Sequence, residues 1–377
     1  MDLICFSHLR WNFVYQRPQH LLTRFSNHYR VFYVEEPVTD AQKDGYYITL
    51  SKENVWIVTP HLQADAEVHN HEARHKSILN DFFTDHELNE YIFWYYAPMA
   101  LPVTEHFKPV LTVYDCMDEL SAFKFAPPTI TEVEKELFKK AQLVFTGGYS
   151  LYLSKKNKHH NIHCFASSID KEHFATARLQ TTDPHDQAHI PHPRLGYYGV
   201  IDERFDIDLV REVALQKPDW HFILVGPTVK IDPATLPRFH NIHYLESKTY
   251  QQLPSYLSGW DIAIVPFAIN ESTRFISPTK TPEYLAAGKP VISTPIQDVV
   301  NPYGNNNLVH IAYSPQQFIQ QAEQELSISK RNDWLKKVDG FLANNSWNNT
   351  WSQMNELLNK ALAVNRKSIT NKKEVYV

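Results

Sequence analysis

Short apolar runs alternate with helical patterns along this chain, and they do so twice. Leu3–Ser7, Val31–Val34, Val55–Val58, Tyr91–Tyr96, Val110–Tyr114 and Leu143–Thr146 are runs rich in β-branched and aromatic side chains. Helical patterns lie between several of them, notably from Arg17 to Ser26 and from Thr131 to Lys140. A strand buried on both faces shows no polar alternation. Continuous apolar strands separated by helices therefore predict a parallel sheet covered on both sides.

The stretch Leu179 to Pro193 is polar and proline-containing and reads as a linker. After it the alternation restarts: Arg194–Gly199, a helix near Ile207–Gln216, Trp220–Val225, Ile242–Tyr244, a helix near Tyr250–Leu257, and Asp261–Val265. Helical stretches Pro315–Leu326 and Trp347–Ala363 close the chain. A length of 377 residues suits two domains of ordinary size. The fold class is α/β, with two tandem Rossmann-like doubly wound domains. The expected division is a first domain over 1–178, a linker over 179–193, a second domain over 194–345, and a C-terminal helix and tail over 346–377. In such a pair the ligand cleft lies between the domains, at the C-terminal ends of the strands.

Composition excludes several classes. Hydrophobic residues make up 43% and charged residues 21%, which describes a globular protein. A net charge of −5 argues against nucleic acid as a partner. The 20 His would make the surface more positive at mildly acid pH. Cys5, Cys116 and Cys164 form no CxxC pair and fit a reducing cytoplasmic setting. The opening Met1-Asp2-Leu3-Ile4 does not read as a signal peptide. The greasiest run, Tyr91 to Val103, is broken by Pro98 and Pro102 and is too short to span a bilayer.

The most informative local pattern is Ser277 to Thr294, SPTKTPEYLAAGKPVIST. Ser277, Pro278, Thr279 and Lys280 form a polar loop leading into a helix that carries Glu283. The helix ends at Gly288, and Pro290 opens the apolar strand Val291-Ile292-Ser293. A helix start with a lysine suits phosphates, and a carboxylate one turn in suits ribose hydroxyls. An ordinary capped helix between two strands remains the plain alternative. In the matching loop Gly199-Val200-Ile201-Asp202-Glu203-Arg204, Arg204 is a candidate bidentate phosphate clamp.

Other loops at strand ends supply candidates for the first domain. Ser7-His8-Leu9-Arg10-Trp11-Asn12 lacks GxGxxG, which argues against a dinucleotide site there, yet it is rich in polar and aromatic groups. Arg17-Pro18-Gln19-His20 starts a helix, with Pro18 suited to its first turn. Asp115 ends an apolar strand and is expected to face the cleft, whereas Asp118 or Glu119 reads as a cap.

Two further motifs are read as decoys. His71-Glu72-Ala73-Arg74-His75 fits HExxH, but its setting (Glu67, His69, Lys76) is that of a solvated helix face rather than a buried zinc helix. Asp206-Ile207-Asp208 resembles a metal–nucleotide triplet, but Asp206 stands where the next helix needs an N-cap.

Taken together, these segments resemble the retaining glycosyltransferases of the two-Rossmann (GT-B) architecture. The likeness is to family 4, the group 1 glycosyltransferases, and within it to bacterial cell-surface polysaccharide enzymes of the teichuronic-acid or capsule type. It is carried by FSHLRWNFVYQRPQHLLTRF, AQLVFTGGYSLYLSKK, Ser168-Ile169-Asp170 with Phe174, YYGVIDERFD, FILVGP, WDIAIVPF and the Ser277–Thr294 pattern. The resemblance implies a GT-B fold whose C-terminal helix returns toward the first domain. That domain would bind the acceptor and the second the nucleotide sugar.

It further implies transfer with retention from a nucleoside-diphosphate sugar, uridine favoured, to a glycan or lipid-linked glycan hydroxyl. No cofactor or metal is called for, and the setting would be cytoplasmic, with peripheral contact at the inner face of the membrane left open. Donor-binding residues would be Gly199, Val200, Arg204, Asn270, Arg274, Ser277, Pro278, Thr279, Lys280 and Glu283. Acceptor-binding residues would be His8, Arg10, Trp11 and Arg17, with Asp115, Arg204 and Lys280 in the catalytic roles.

The chain departs from the family in two places. Phe275 stands where the first of two glutamates is usual, so Asn270, Glu271 or Arg274 would have to replace its sugar contact. The usual phosphate clamp is absent in its common form, leaving Arg204 and Lys280, then Lys230, as substitutes. A sugar-nucleotide epimerase of the same fold, an inactive carbohydrate-binding or assembly subunit, and a zinc peptidase through His71, Glu72 and His75 are the alternatives.

Overall fold

The computed structural model describes residues 1–64 and 70–374. Glu67 and His69 lie outside the described residues, as does the end of the expected tail. Among the described residues the strands form two sheets. In the first, β1 (Asp2–Ser7), β2 (Arg30–Glu35), β3 (Val38–Ala41), β4 (Gly45–Leu50), β5 (Trp56–Gln63), β6 (Tyr91–Tyr95), β7 (Leu111–Cys116), β8 (Leu143–Thr146) and β9 (Ile162–Cys164) run in the order β3-β5-β2-β1-β6-β7-β8-β9, with β4 attached to β5. All pairings are parallel except β4 with β5.

The second sheet has β10 (Arg194–Tyr198), β11 (His221–Val225), β12 (Ile242–Leu245), β13 (Ile262–Val265), β14 (Val291–Ser293) and β15 (His310–Ile311) in the order β12-β11-β10-β13-β14-β15, all parallel. The strand order reverses beside β1 in one sheet and beside β10 in the other. Those switch points open crevices beyond the strand C-termini, where the loops after Ser7 and after Tyr198 begin.

Strand β1 shows why the apolar runs are continuous. Leu3 and Cys5 pack on one face with the helix Arg17–Phe25 and with Trp347, Met354, Leu358 and Leu362. Ile4 and Phe6 pack on the other, with Leu79, Phe82 and Phe83 of the helix His71–Asp85 and Leu137 of the helix Ile130–Lys140. Both faces are dry, and the central positions Leu3 to Phe6 are all apolar. The helix from Trp347 thus returns to the first domain, as expected. Strands β3 and β4 escaped the sequence reading. They sit at the sheet edge, half-buried or exposed, and lack an apolar signal.

The stretch 179–193 is no free tether. It contains a helical turn, His185–Ala188, whose Gln187 is buried and accepts from Trp260 Nε1 at 2.9 Å. The chain joins the second core earlier than the expected boundary, at Ile169, Phe174 and Ala177. Cys5 and Cys116 are buried free thiols. No described helix is long and apolar enough to cross a membrane.

Candidate functional site

The second domain's site is built around the turn that ends β10. Gly199 has φ +134°, a conformation open to glycine, and its N–H donates to Val225 O at 2.9 Å. The absence of a side chain matters as much as the dihedral. A Cβ on Gly199 would lie 2.4 Å from Lys280 Cε and 2.8 Å from its Nζ. Lys280 opens the helix Lys280–Ala286 and passes directly over this bare backbone. Its ammonium lies 5.5 Å from the Tyr197 ring centroid and 5.6 Å from that of Phe267. It has no hydrogen-bond acceptor among the described residues.

Glu283, one turn further, is 6% exposed and accepts a short hydrogen bond from the Tyr198 hydroxyl. The backbone N–H of Tyr198 in turn donates to Tyr284 Oη at 3.1 Å, which locks strand and helix together. Burial pushes the Glu283 carboxyl up to about 7, against the opposing pull of Tyr198 and Lys280. Burial, followed by the nearby Arg204 charge, pushes Lys280 down to about 8, against Glu283 and Asp202. In both groups burial favours the uncharged form.

Arg204, read from the sequence as a phosphate clamp, already has a carboxylate partner. Asp202 accepts from its Nε at 2.9 Å and from its Nη2 at 2.6 Å, leaving Nη1 without a protein acceptor among the described residues. Val200 contributes its carbonyl to Tyr197 Oη at 2.8 Å. Asn270 organises its own loop, donating to Glu203 O at 3.2 Å while its Oδ1 accepts from Ser272 and Thr273. Arg274 is exposed and lies 5.2 Å from the Phe275 ring. Phe275 packs against the first domain's core, so the residue in the usual glutamate position serves here as an interdomain contact. Pro278 is buried, and Ser277 O accepts from Ser167 Oγ across the cleft at 2.9 Å.

The first-domain candidates divide differently. Asp115 lies within β7 at 0% exposure rather than facing the cleft. It accepts from Arg17 Nε at 3.0 Å and from Arg17 Nη2 at 2.9 Å. Arg17, 4% exposed, also donates to Phe165 O at 2.8 Å. The two neutralise each other inside the fold, which removes Asp115 as a catalytic group and Arg17 as an acceptor contact. Trp11 is likewise core, 4% exposed and edge-on to Tyr33. Arg10 is tied to Glu35 at 2.9 Å and to Glu36 O.

His8 keeps an open valence, since its Nδ1 is buried without a partner. Burial, aided by the Lys230 charge, pushes it down to about 4, so the ring is neutral at pH 7. Asp118, read from the sequence as a cap, is the carboxylate left on this side of the cleft. Burial lifts it to about 6, offset by Arg204 and Arg17. Its signal was present in Tyr114-Asp115-Cys116-Met117-Asp118, but the strand end was placed two residues early.

His71–His75 lies on the helix His71–Asp85, where Glu72 pairs with Lys76 at 3.0 Å and Arg74 pairs with Asp44. No described group of three or more His, Cys, Asp or Glu side chains is placed to hold a metal ion. Asp206 caps the helix Ile207–Gln216, accepting from Leu209 N at 2.9 Å.

A family model described as "Glycosyl transferases group 1" matches residues 193–327, the stretch that carries Gly199, Arg204, Lys280 and Glu283. Across the whole molecule the architecture is GT-B. The sucrose-phosphate synthase of Thermosynechococcus elongatus superposes with a TM-score of 0.71 at 14% identity, covering 96% of this chain and 99% of that one. An E. coli trehalose-6-phosphate protein "bound with UDP-2-fluoro glucose" superposes at 0.69 and 11% identity, over 95% and 99%.

In sequence, the chain is 26% identical over 217 residues to the putative teichuronic acid biosynthesis glycosyltransferase TuaH of Bacillus subtilis (strain 168). That match spans 53% of this chain and about half, 54%, of the relative. Neither match spans the whole chain, so the likeness over its full length rests on fold.

Proposed function

We propose that this protein is a glycosyltransferase that moves a sugar from a nucleoside-diphosphate sugar to an acceptor hydroxyl, with retention, in bacterial surface polysaccharide synthesis. The observation that carries this reading is Lys280 lying over the bare backbone of Gly199, with the charges of Arg204 and Glu283 acting on its ammonium, inside the stretch that the family model matches. The teichuronic acid relative supports the polysaccharide class, and the neighbour bound to a uridine diphosphate sugar supports that donor.

In this mechanism the bond from the anomeric carbon to the β-phosphate oxygen breaks as the acceptor oxygen bonds to that carbon. Negative charge grows on the departing diphosphate. Lys280 and the unpaired Nη1 edge of Arg204 meet that charge in a partly dry site, where it is stabilised more in the transition state than in the ground state. Glu283 accepts from the ribose hydroxyls and fixes the donor's angle. The acceptor's proton passes to the departing phosphate oxygen. His8 and Asp118 flank the acceptor side, where a glycan or lipid-linked glycan would enter, with peripheral contact at the inner membrane face.

A thermal-shift screen over uridine and guanosine diphosphate sugars tests donor binding, since a ligand specific to the native state raises its stability. Product analysis with and without glycan acceptors then tests transfer. Stabilisation by no nucleotide sugar would remove the reading, and a changed sugar formed from donor alone would replace it with an epimerase.

A further inference from the structure

Phe123 belongs to the first domain, at the end of the helical turn Leu120–Ala122, and is half-buried. Two cations of the second domain lie over its ring: Arg204 Cζ at 5.5 Å from the centroid and Lys230 Nζ at 5.7 Å. They come from the loops after β10 and after β11, and Lys230 is aimed by a backbone with φ +62°. Lys230 has no carboxylate or carbonyl acceptor among the described residues. Arg204 has Asp202 on one edge and an unpaired Nη1 on the other.

Two positive charges thus meet at one aromatic ring from the opposite domain. The negative face of that ring reduces the cost of holding them together. A ring covers a cation without consuming its N–H donors, which stay available to an anion.

We propose that Phe123 is a positioning residue that holds Arg204 and Lys230 together for the donor's diphosphate, so that diphosphate binding and domain closure reinforce each other. The inference rests on the glycosyltransferase reading for its ligand but on the cation–ring geometry for its mechanism. Leucine at 123 keeps apolar bulk and removes the ring; tyrosine keeps the ring.

The test is calorimetric titration of the full chain with inorganic pyrophosphate and with uridine diphosphate. Phe123→Leu and Phe123→Met are expected to weaken both ligands roughly tenfold, the scale of two such contacts. Phe123→Tyr is expected to stay within about twofold of wild type, with unliganded melting temperatures unchanged throughout. Wild-type affinity in the two ringless variants would overturn the proposal, as would a wild-type protein that ignores pyrophosphate. Ring-dependent pyrophosphate binding without transfer from any nucleotide sugar would uphold Phe123's role while removing the glycosyl-transfer reading. Normal transfer in Phe123→Leu would do the reverse.

Discussion

Lys280 crosses the main chain at Gly199 so closely that a single added carbon would stand 2.4 Å from its Cε. The lysine's position is therefore set by what Gly199 lacks. Gly199→Ala should displace the ammonium and strain the turn together, because φ +134° also disfavours a side chain. We expect nucleoside diphosphate affinity to fall about tenfold or more in Gly199→Ala and in Lys280→Ala alike, on the scale of one charge-assisted hydrogen bond. Titration calorimetry reads this directly, and undiminished binding in Lys280→Ala would refute the placement.

The shifted proton affinities give a pH signature. With Lys280 at about 8, most of the unliganded protein at pH 8.5 carries a neutral amine. A bound diphosphate favours the ammonium, so binding at that pH should take up a fraction of a proton, set by the share of lysine that was neutral. Affinity should weaken as pH rises past 8. Calorimetry in two buffers of different ionisation enthalpy measures the uptake, and Lys280→Met should abolish it.

Glu283 separates stability from function. Its carboxyl titrates near 7 in the fold against an ordinary 4.5, so the folded protein holds that proton more tightly than the unfolded chain. The stability this brings is complete below about 4.5 and is lost as pH rises through 7. Glu283→Gln keeps an acceptor for Tyr198 without the buried charge. At pH 8 it should melt no lower than wild type, and transfer should fall by roughly 100-fold if the carboxylate orients the donor. A variant that melts early would show that the carboxylate serves the fold instead.

Asp115 should behave as a structural residue. Removing one partner of a buried ion pair typically costs about 3–5 kcal/mol. Asp115→Ala strands the Arg17 guanidinium, so a loss of that size in urea unfolding is expected, with KM preserved in whatever fraction folds. A variant of native stability with lost kcat would restore the catalytic role that its burial denies.

Transfer should persist in excess EDTA, and His71→Ala and His75→Ala should retain activity, because Glu72 and Arg74 are engaged by Lys76 and Asp44. Strict zinc dependence would bring the HExxH run back into the mechanism.

The two sheets, parallel except at β4, were legible in the chain, since strands buried on both faces leave no polar position at their centre, as Leu3 to Phe6 of β1 show. The sequence by itself also determined the Asp206 cap and the loop–helix–strand unit from Ser277 to Ser293, because caps and breakers act over a few residues. Edge strands β3 and β4 were not legible, for they bury too little to leave a pattern.

The tertiary structure alone decided which charged groups are free. Asp115 meets Arg17 across 98 residues, and Phe123 meets Arg204 and Lys230 across the cleft. Pairing at such separation depends on where two sheets bring their loops. A carboxylate that neutralises an arginine and one that awaits a ligand read the same in the chain. Only the fold, by setting one against Arg17 and the other beside Lys280, assigns the difference.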